Sequence, residues 1–562
     1  MCGIICIIND NENKIIKSLD QLNHRGPDGG GFLKISGISI GHVRLSILDQ
    51  SQKAAQPLES KTGRYLISFN GEIYNFRRIA NYLDLDIEKL SSDTLVLSEF
   101  IEKYEFERIN ELRGMFSFCV FDKEKNQIIL STDHFGQKQL YFLKEEDKVK
   151  AICSEIKPLL KLQKESYINK NAIEDYIRAL DFDHNENTFF SNIKRVEPGH
   201  ILRINVKTGE ILEDLDYRKY PSAKNQNLIN NNQLDLLFRK VVEESLEGDF
   251  KHAMSLSGGL DGLFLLNCIK SIGKLDKIGC CYTVEFEDFS EGAYASQIAN
   301  YFGLKHKIIC YSKKEFFKSL KTNINFQEGP IGGLMNCGLS YLAEKVKKDG
   351  FKTILGGMAL DELFGGYDIF SKNLINENVL NSTLIDGTKV KKDNFEAKNH
   401  KDKKIKKSKF DTYGLRGQLI FGSKLRRNLR MLDRLGMQNS IEFRSPFLDW
   451  DIFSFAMNYD ENKLNIDGLG KQPIRQIINK CTDLELSKYP KKSIQAPQRN
   501  WLCDKSFIKL IKNIFNNDDF FNKFSLNKSF YMEMYFNNLK SNSVEFPIWQ
   551  LINIYLLNNE LI

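Results

Sequence analysis

The sequence MSLSGGLDG, residues 254–262, decides how the C-terminal half of this chain folds. The residues around its start, 253–256, predict a short buried strand, and the apolar run 263–269 predicts a helix. Between a strand and a helix start, unpaired backbone N–H groups and the positive end of the helix dipole favour an anion. Gly258 and Gly259 let the backbone approach a phosphate without a side chain in the way. The turn lacks the Gly-Lys-Ser/Thr ending of a P-loop and the spacing of a dinucleotide fingerprint, so an ordinary strand-to-helix turn stays open.

The segments that follow alternate between strand and helix patterns. Strands are predicted at 277–286, 306–311 and 351–357, and helices at 291–302 and 340–348. This alternation indicates a parallel, doubly wound α/β sheet, in which ligands bind at the carboxyl ends of the strands. The loops at 257–261 and 356–362 would then lie side by side. Asp261, Asp361 and Glu362 could hold Mg²⁺ against phosphate oxygens; the competing interpretation is that these acids cap helices.

The bulk composition limits the class of protein. A chain of 562 residues is too long for one hydrophobic core, so we expect two or more domains. The 42% apolar and 27% charged content are ordinary for a soluble globular protein, and a net charge of +7 does not by itself indicate nucleic-acid binding. Eleven scattered cysteines without metal or disulfide spacing predict a reduced, cytoplasmic protein. The start has no signal-peptide pattern, and no apolar run approaches the ~20 residues that span a bilayer, so we expect no membrane segment.

Cys2 is the second unusual feature of the sequence. Removal of Met1 would leave a residue that carries both a thiol and a free α-amine. An α-amine titrates near ~8, low enough to act as a base for the thiol. A cysteine at position two could also be an accident of the start of the chain.

Other parts of the N-terminal half have both a structural and a functional interpretation. Arg44 lies in the strand pattern 41–49, and it is either a surface charge or a fork for a substrate carboxylate. Asn70-Gly71 ends a strand pattern, and it is either a tight hairpin turn or an oxyanion hole made by the Asn70 amide and the Gly71 N–H. The sequence SSDT at 91–94 predicts the capped start of a helix.

Apolar alternation predicts that the N-terminal half is rich in β-structure. Residues 113–122 and 127–133 predict an antiparallel hairpin, and 201–212 predict another. A polar, asparagine-rich stretch at 221–232 predicts the crossing between two domains.

Six motifs of this half resemble the glutaminase domain of class II glutamine amidotransferases. They are CGI at 2–4, HRGPD at 24–28, RLSI at 44–47, NGEIYN at 70–75, SDT at 92–94 and SEIK at 154–157. Their order and spacing over about 200 residues make the resemblance specific. It implies an αββα sandwich of the N-terminal-nucleophile (Ntn) hydrolase type over residues 1–215, with Cys2 as nucleophile.

The resemblance also implies a set of residues that hold glutamine: Arg44, Leu45, Ile47, Asn70, Gly71, Glu72 and Asp93. The roles suggested by their chemistry agree, since Arg44 suits the carboxylate, Glu72 and Asp93 suit the α-ammonium, and Asn70 with Gly71 suits the oxyanion. Two positions depart from the family pattern without touching this chemistry. Thr132 stands where an arginine is usual, and Gln139 stands where a proline is usual.

The C-terminal half resembles the synthetase domain of glutamine-hydrolysing asparagine synthetases. SGGLD at 257–261 is similar to the pyrophosphate loop of ATP pyrophosphatases; DELFGGY at 361–367, SIEFRSPFLD at 440–449, GLGK at 468–471 and PKK at 490–492 resemble the synthetases. This implies, after a linker at 216–232, a parallel-sheet α/β ATP pyrophosphatase domain with extra helices at 233–562. The resemblance implies that MgATP adenylates a carboxylate, pyrophosphate leaves, and ammonia from the other domain attacks.

The residues implied to bind ATP or pyrophosphate are Leu256, Ser257, Gly258, Gly259, Asp261, Val284, Gly356, Gly357 and Lys471. Val284 lies where the family's backbone meets adenine, and Lys471 matches a lysine that neutralises the phosphates. Asp261 and Asp361 are the implied Mg²⁺ ligands, acting through the phosphates.

Four departures make the acceptor substrate uncertain. Gly262 and Gly356 replace serines, Met358 replaces a glutamate, and Leu360 replaces a small or polar residue. A methionine cannot accept a proton, and two apolar changes in one loop suggest a reshaped acceptor pocket. Three hypotheses follow: synthesis of asparagine from aspartate, the same chemistry on another carboxylate such as a sugar uronic acid, or a synthetase half that lost activity and serves as a regulatory or binding module.

Two remaining segments carry weaker predictions. The lysine-rich run 389–409 predicts a mobile, solvated insertion, or alternatively a basic patch for an acidic partner. The aromatic residues of 507–562 predict a helical core rather than a cofactor site. The expected partners are small molecules, namely glutamine, ATP and the acceptor carboxylate, and the sequence leaves a homodimer open.

Overall fold

A computed structural model describes residues 2–9, 12–86, 92–163, 165, 167–221, 230–287, 290, 292–367, 370, 413–482, 484, 496–540 and 546–561. The lysine-rich run 389–409, the PKK motif and most of the asparagine-rich linker lie outside these residues.

The N-terminal half contains two antiparallel sheets. Its strands are β1 (Cys2–Ile8), β2 (Gly29–Ile35), β3 (Ile38–Arg44), β4 (Leu58–Glu59), β5 (Tyr65–Ile73), β6 (Gly114–Asp122), β7 (Gln127–Thr132), β8 (Tyr141–Glu145), β9 (Lys148–Cys153), β10 (Ile193–Arg195), β11 (His200–Asn205) and β12 (Ile211–Asp216). Their orders are β10-β8-β9-β1-β3-β2 and β12-β11-β7-β6-β5-β4. Both predicted hairpins are confirmed, because β6 pairs with β7 and β11 pairs with β12 antiparallel.

Helices cover the outer faces of the two sheets. They are α1 (Glu12–Leu22), α2 (Phe76–Tyr82), α3 (Asp93–Tyr104), α4 (Ile156–Leu162) and α5 (Lys170–Ala179). Helices α1 and α4 contact the first sheet, α3 contacts the second, and α2 packs on α3. The half is therefore the expected αββα sandwich.

The sequence of β1 explains its place in the sandwich. All seven residues are buried. Ile4, Cys6 and Ile8 point into the apolar cluster between the two sheets. Ile5 and Ile7 point the other way, into the cluster that α1 covers. Because side chains alternate along a strand, this continuous apolar run fits only a strand that is buried on both faces.

The C-terminal half contains a parallel sheet with helices. Its elements are α6 (Asn231–Ser245), β13 (His252–Ser255), α7 (Leu260–Ser271), β14 (Ile278–Phe286), α8 (Gly292–Tyr301), β15 (His306–Tyr311), α9 (Lys313–Gln327), α10 (Leu334–Lys348), β16 (Thr353–Leu355), α11 (Leu360–Phe364), α12 (Gly414–Phe421), α13 (Ser423–Met437), β17 (Glu442–Arg444), α14 (Trp450–Ala456) and α15 (Gln472–Ile478). The strand order is β15-β14-β13-β16-β17, and every pair is parallel. The predicted doubly wound α/β class is confirmed.

The C-terminal segment adds a helical layer. It contains α16 (Gln498–Trp501), α17 (Lys505–Phe515), α18 (Asp518–Phe524), α19 (Lys528–Lys540) and α20 (Phe546–Leu561). Phe520, Phe521, Tyr531 and Tyr535 are buried, so the prediction of an aromatic core holds for them, whereas Phe536 is exposed. Trp549 donates a hydrogen bond to the Ile331 carbonyl at 3.0 Å, which ties α20 to the rest of the domain.

Candidate functional site

Cys2 lies at the start of β1, beside Arg44 on the neighbouring strand β3. Its backbone N–H donates to Oδ1 of Asn70 at 2.9 Å. The residue is 8% exposed, and burial raises the pKa of its thiol. A thiol in this position needs a base close by to become a nucleophile, and an α-amine on the same residue would supply one.

Asn70 and Gly71 lie within β5, which runs without interruption from Tyr65 to Ile73. The alternative interpretation as a hairpin turn is therefore wrong. Gly71 has φ of +138°, and a Cβ there would lie 2.0 Å from the Met115 carbonyl oxygen, so only glycine fits. The Asn70 side chain is fully buried, and its amide nitrogen has no hydrogen-bond partner among the described residues. It is therefore free to donate to a developing oxyanion beside Cys2.

The Arg44 guanidinium is already engaged with its own loop. Nη1 donates to the Ser51 carbonyl at 2.8 Å, and Nη2 donates to the Asp49 carbonyl at 2.5 Å. These two bonds fix the orientation of the guanidinium, and Arg44 is half-buried. Leu45 and Ile47 are buried in a small cluster with Met437, a residue of the C-terminal half. The predicted glutamine site therefore lies against the second domain.

The two predicted ammonium-binding acids have different environments. Oδ2 of Asp93 accepts from the Ile73 N–H at 2.9 Å, and burial raises the pKa of Asp93 to about 6. Oε1 of Glu72 forms an ion pair with Nη2 of Arg444 at 2.9 Å, although burial still raises the pKa of Glu72. Glu72 is thus paired across the boundary between the halves.

Arg444 is a site residue that the sequence reasoning missed. It is 1% exposed, and its Nε donates to Glu442 at 2.6 Å in addition to the Glu72 pair. The sequence did contain a signal for it, because β17 is a strand of three residues whose first and last residues, Glu442 and Arg444, are charged. Charged residues in a buried strand are stable only when they are paired.

Arg25 is a second residue that the sequence reasoning missed, and it lies beside Cys2. Its Nε donates to the Cys2 carbonyl at 2.9 Å. Its Nη1 lies 2.9 Å from both Glu155 and Asp433, so it bridges the two halves. Arg25 belongs to the HRGPD motif and Glu155 to the SEIK motif, and the two motifs alone do not show that these residues are in contact.

In the C-terminal half, the loops after β13 and β16 meet as predicted. A Cβ on Gly357 would lie 2.8 Å from Cβ of Asp261, so glycine permits this close approach. Nζ of Lys471 lies 2.5 Å from Asp261 and 2.8 Å from Asp361. Burial disfavours the lysine charge, but the two carboxylates outweigh it and hold the pKa of Lys471 above its usual value. The structure thus brings three predicted residues from distant segments together.

The predicted phosphate loop is held by the neighbouring strand β14. The Leu256 N–H donates to the Tyr282 carbonyl at 2.8 Å, and the Leu256 carbonyl accepts from the Thr283 hydroxyl at 2.5 Å. Gly258 has φ of +64°, and Gly259 caps the start of α7. Ser257 is exposed and Val284, in β14, is half-buried. Gly356 follows β16, where its N–H donates to the Arg444 carbonyl at 2.9 Å.

The unusual residues of these loops differ in their surroundings. Leu360 is fully buried in the core, so its side chain is a packing residue of the domain. Met358 is half-buried and packs against the edge of the same cluster. Gly262 lies in the first turn of α7, and a Cβ there would lie 2.7 Å from a Leu256 methyl group. Glu362 is buried and accepts from the Tyr367 hydroxyl at 2.6 Å, which favours a structural role for this acid.

The donor set at the loop ends fits a magnesium ion only together with phosphates. Asp261 and Asp361 offer carboxylate oxygens, which Mg²⁺ prefers. Within the described ranges, no group of three or more metal-ligating side chains forms a site. Phosphate oxygens of a bound nucleotide would have to complete the coordination sphere.

Among the residues that the structure describes, no helix has the length and apolar character needed to cross a membrane.

Comparison with known families agrees with this arrangement. Residues 1–217 match the glutamine amidotransferase domain, which defines the class of the N-terminal half. Residues 233–556 match asparagine synthase. Since this second match covers more than half of the chain, the protein belongs to the asparagine synthase family.

Three relatives illustrate its neighbours. The chain is 28% identical to "Amidase chry2" of Gibberella zeae, over 67% of this chain and 61% of that protein. It is 29% identical to "Asparagine synthetase [glutamine-hydrolyzing] 1" of Bacillus subtilis, over 66% of this chain and 60% of that protein. It is 26% identical to "Putative asparagine synthetase [glutamine-hydrolyzing] 1" of Methanocaldococcus jannaschii, over 91% and 89%. In the first two alignments the chain spans about three fifths of the relative's length.

Proposed function

We propose that this protein is a carbon–nitrogen ligase that hydrolyses glutamine at Cys2 and transfers the ammonia to a carboxylate that it activates with ATP. One observation carries the proposal. The same chain holds a buried cysteine beside an Asn70 amide nitrogen that has no partner among the described residues, and a lysine between two carboxylates at the ends of two parallel strands. The family membership supports both halves of the reaction.

In the first half-reaction, the Cys2 thiol attacks the side-chain amide of glutamine. The α-amine of a processed Cys2 takes the thiol proton and passes it to the leaving ammonia. The Asn70 amide and the Gly71 N–H stabilise the oxyanion, and water then releases glutamate from the thioester. Arg44, Asp93 and Glu72 orient the substrate through its carboxylate and ammonium groups.

In the second half-reaction, an oxygen of the acceptor carboxylate attacks the α-phosphorus of ATP, and pyrophosphate leaves. The backbone of residues 256–259 and the Lys471 ammonium bind the phosphates and stabilise their charge. Asp261 and Asp361 would hold Mg²⁺ together with the phosphates, and the ion would supply further charge neutralisation. Ammonia then displaces AMP from the acyl-adenylate and forms the amide. With aspartate as acceptor, the product is asparagine.

A second candidate keeps this chemistry and changes the acceptor to another small carboxylate, such as a sugar uronic acid. Met358 favours it, since a methionine stands at the loop surface where asparagine synthetases resembling this chain carry a glutamate. Two of the similar fungal proteins are named amidases rather than asparagine synthetases. Loss of synthetase activity is the third candidate, and the retained cluster of Lys471, Asp261 and Asp361 speaks against it.

Pyrophosphate release from ATP, measured with glutamine and a panel of carboxylates, separates the three candidates. Release with aspartate supports asparagine synthesis, and release only with another acid supports the second candidate. Absence of release with every acid, while glutamate is still formed, would support a synthetase half without activity. Absence of glutamate formation as well would contradict the proposal as a whole.

The Met358→Glu variant tests the role of this position. If the missing carboxylate limits the use of aspartate, the variant should form more asparagine than the unchanged protein, by about tenfold or more, as expected for a restored proton acceptor. Leu360→Ala is the contrasting variant, because that side chain is buried in the core and should affect stability rather than the choice of acceptor. An equal effect of both variants on asparagine formation would exclude a specific role for Met358.

A further inference from the structure

Strand β16 lies between the two predicted sites. Lys352 directly precedes the strand, and its Nζ donates to Oδ2 of Asp28 at 2.6 Å and to the Ser46 carbonyl at 2.9 Å. Gly356 and Gly357, which are predicted to bind ATP, directly follow the strand. At ~3.3 Å for each residue, about 13 Å of chain separates Lys352 from Gly356. One short strand thus runs from a loop of the N-terminal half to a loop of the predicted nucleotide site.

The loop that Lys352 contacts belongs to the predicted glutamine site. Ser46 lies within the RLSI motif, whose other three residues are predicted to hold glutamine. Oδ2 of Asp28 accepts from the Ser46 N–H at 2.9 Å, and the Asp28 N–H donates to the Arg44 carbonyl at 2.9 Å. Lys352 therefore contacts, from the other half of the chain, the backbone that positions Arg44 and its neighbours.

The strand is an inner strand of the parallel sheet. It pairs with β13 on one side and with β17 on the other, and its three residues are buried. Two further backbone bonds hold its ends, since the Glu442 N–H donates to the Lys352 carbonyl and the Gly356 N–H donates to the Arg444 carbonyl, both at 2.9 Å. Because it is paired along both edges, β16 moves as one body. A shift at Gly356 is therefore carried to Lys352.

Two contacts join β16 and β17 to the glutamine site, and they differ in burial. Arg444 is 1% exposed and is held from several sides, since it pairs with Glu72 and also donates to the Ser245 carbonyl at 3.0 Å. The side chains of Lys352 and Asp28 are 39% and 30% exposed. An ion pair in contact with solvent opens at little cost, because its net stabilisation is small. The Lys352 contact is therefore the one whose formation depends on the positions of the two loops.

We propose that Lys352 is a positioning residue that couples the two sites, so that glutamine and ATP bind with positive cooperativity. Phosphates bound at Gly356 and Gly357 fix one end of β16, and bound glutamine fixes the loop that carries Ser46. The Lys352 contacts form fully only when both are fixed, so each ligand strengthens the binding of the other by the same factor. This inference rests on the proposed function, because it needs glutamine and ATP as the ligands of these two sites.

The binding experiment uses calorimetry on the full-length Cys2→Ala protein, which cannot consume glutamine. Glutamine is titrated with and without saturating Mg²⁺ and α,β-methylene-ATP, an analogue in which the bond that releases pyrophosphate cannot break. We expect the analogue to lower the dissociation constant of glutamine about fivefold, the lower end of measured couplings between sites and a size that one solvent-exposed contact can supply. The dissociation constant of the analogue should fall by the same factor when glutamine is present.

Variants of Lys352 test whether the coupling runs through its ammonium group. Lys352→Met keeps an unbranched side chain and removes the charge, so the analogue should no longer change the dissociation constant of glutamine. Lys352→Arg keeps a charged donor and should retain the coupling. Lys348→Met is the matched control, since Lys348 is an exposed lysine that pairs with Glu344 within the same half. A lysine that only supported the fold would leave the coupling unchanged in Lys352→Met.

The same coupling should appear in turnover. With Cys2 intact and no added acceptor, the analogue should lower the KM for glutamine in glutamate release about fivefold and leave kcat unchanged, and this effect should be absent in Lys352→Met. Glutamine binding that the analogue leaves unchanged or weakens, or coupling that persists in Lys352→Met, would overturn the inference and leave the proposed function intact. Failure of the protein to bind glutamine and release glutamate would contradict the proposed function itself, and the inference with it.

Discussion

The two predicted sites are built in different ways. The glutamine site rests on strand backbone, because Cys2 lies in β1 and Asn70 with Gly71 lies in β5. The nucleotide site rests on the ends of two loops, held together by Lys471 between Asp261 and Asp361. In the first site the sheets position the reactive groups before any substrate binds. In the second, the groups proposed to bind MgATP neutralise one another, so the substrate has to replace an internal ion pair.

This difference has an energetic consequence. An amide such as the glutamine side chain needs oriented donors and little else, which a rigid sheet supplies. Phosphates carry several negative charges, and they can compete with Asp361 and Asp261 for the lysine, while Mg²⁺ offsets the carboxylates. If the two sites are independent in chemistry, a change in one should leave the activity of the other intact, although the two halves contact each other.

The largest expected effect separates the two sites by removing the nucleophile. Cys2→Ala should lower glutamine-dependent amide formation on the order of 10⁶-fold, as for the loss of another catalytic nucleophile. Synthesis with added ammonium salt in place of glutamine should be unchanged, because the second site keeps all its groups. Loss of the ammonia-dependent reaction would contradict the two-site division.

The second-largest effect is expected for the ion pair between Glu72 and Arg444, which joins the two halves. Arg444→Met leaves Glu72 and Glu442 buried without their cation, and should cost about 3–5 kcal/mol in the apparent free energy of unfolding. The control is Arg77→Met. This variant removes an exposed ion pair between the same two halves, in which Nε of Arg77 lies 2.9 Å from Glu247. It should cost about 1 kcal/mol or less.

The measurement for this pair is chemical unfolding, followed by the fluorescence of the three tryptophans, which all lie in the C-terminal half. Equal costs for the two variants would show that burial of the Arg444 pair does not matter. A large loss for Arg444→Met alone would show that the glutamine site and the second domain are folded against each other.

Lys471→Ala should affect the nucleotide site alone. Pyrophosphate release should fall about 10²–10³-fold, as for the removal of one charge-stabilising donor. Glutamate release should persist, since none of the lysine's contacts reaches the first site. Lys463→Ala, at an exposed lysine earlier in the same segment, is the control. A parallel loss of glutamate release would show that the cluster supports the whole fold.

The smallest predicted effect is the pH dependence of glutamine binding. Burial raises the pKa of Asp93 to about 6, so this carboxyl is protonated below that pH and loses its attraction for the α-ammonium group. The dissociation constant of glutamine should therefore rise as pH falls below about 6, by at most tenfold for each pH unit. Calorimetry on the Cys2→Ala variant measures this dissociation constant without a contribution from titration of the Cys2 thiol. Constant affinity down to pH 5 would exclude Asp93 as the ammonium partner.

Much of the local structure could be predicted from sequence. The strand predicted at 306–311 is β15 at the same residues, and the hairpin predicted at 113–122 and 127–133 is the pair of β6 and β7. These segments have strong apolar periodicity and clear turn residues. Asn70-Gly71 was ambiguous, because the dipeptide favours a turn, and only the pairing of β5 with β6 shows that the strand continues.

The departures in the second loop show a different limit. Met358 and Leu360 are two residues apart, and together they suggested a reshaped acceptor pocket. A short helix begins at Leu360 and turns its side chain into the core, whereas Met358 stays at the loop surface. The side on which a loop residue lies depends on the backbone path, which residue type alone does not reveal.

The sequence by itself determined the two modules and led to the proposed nucleophile, the proposed phosphate loop and the acids and lysine proposed to act there, because each is recognised by residue types in short motifs. Only the tertiary structure decided how the modules meet. Arg25 contacts Asp433 across 408 residues of chain, and Glu72 pairs with Arg444. Such pairs form because packing buries both charges in one place, and no local pattern in the chain specifies that place.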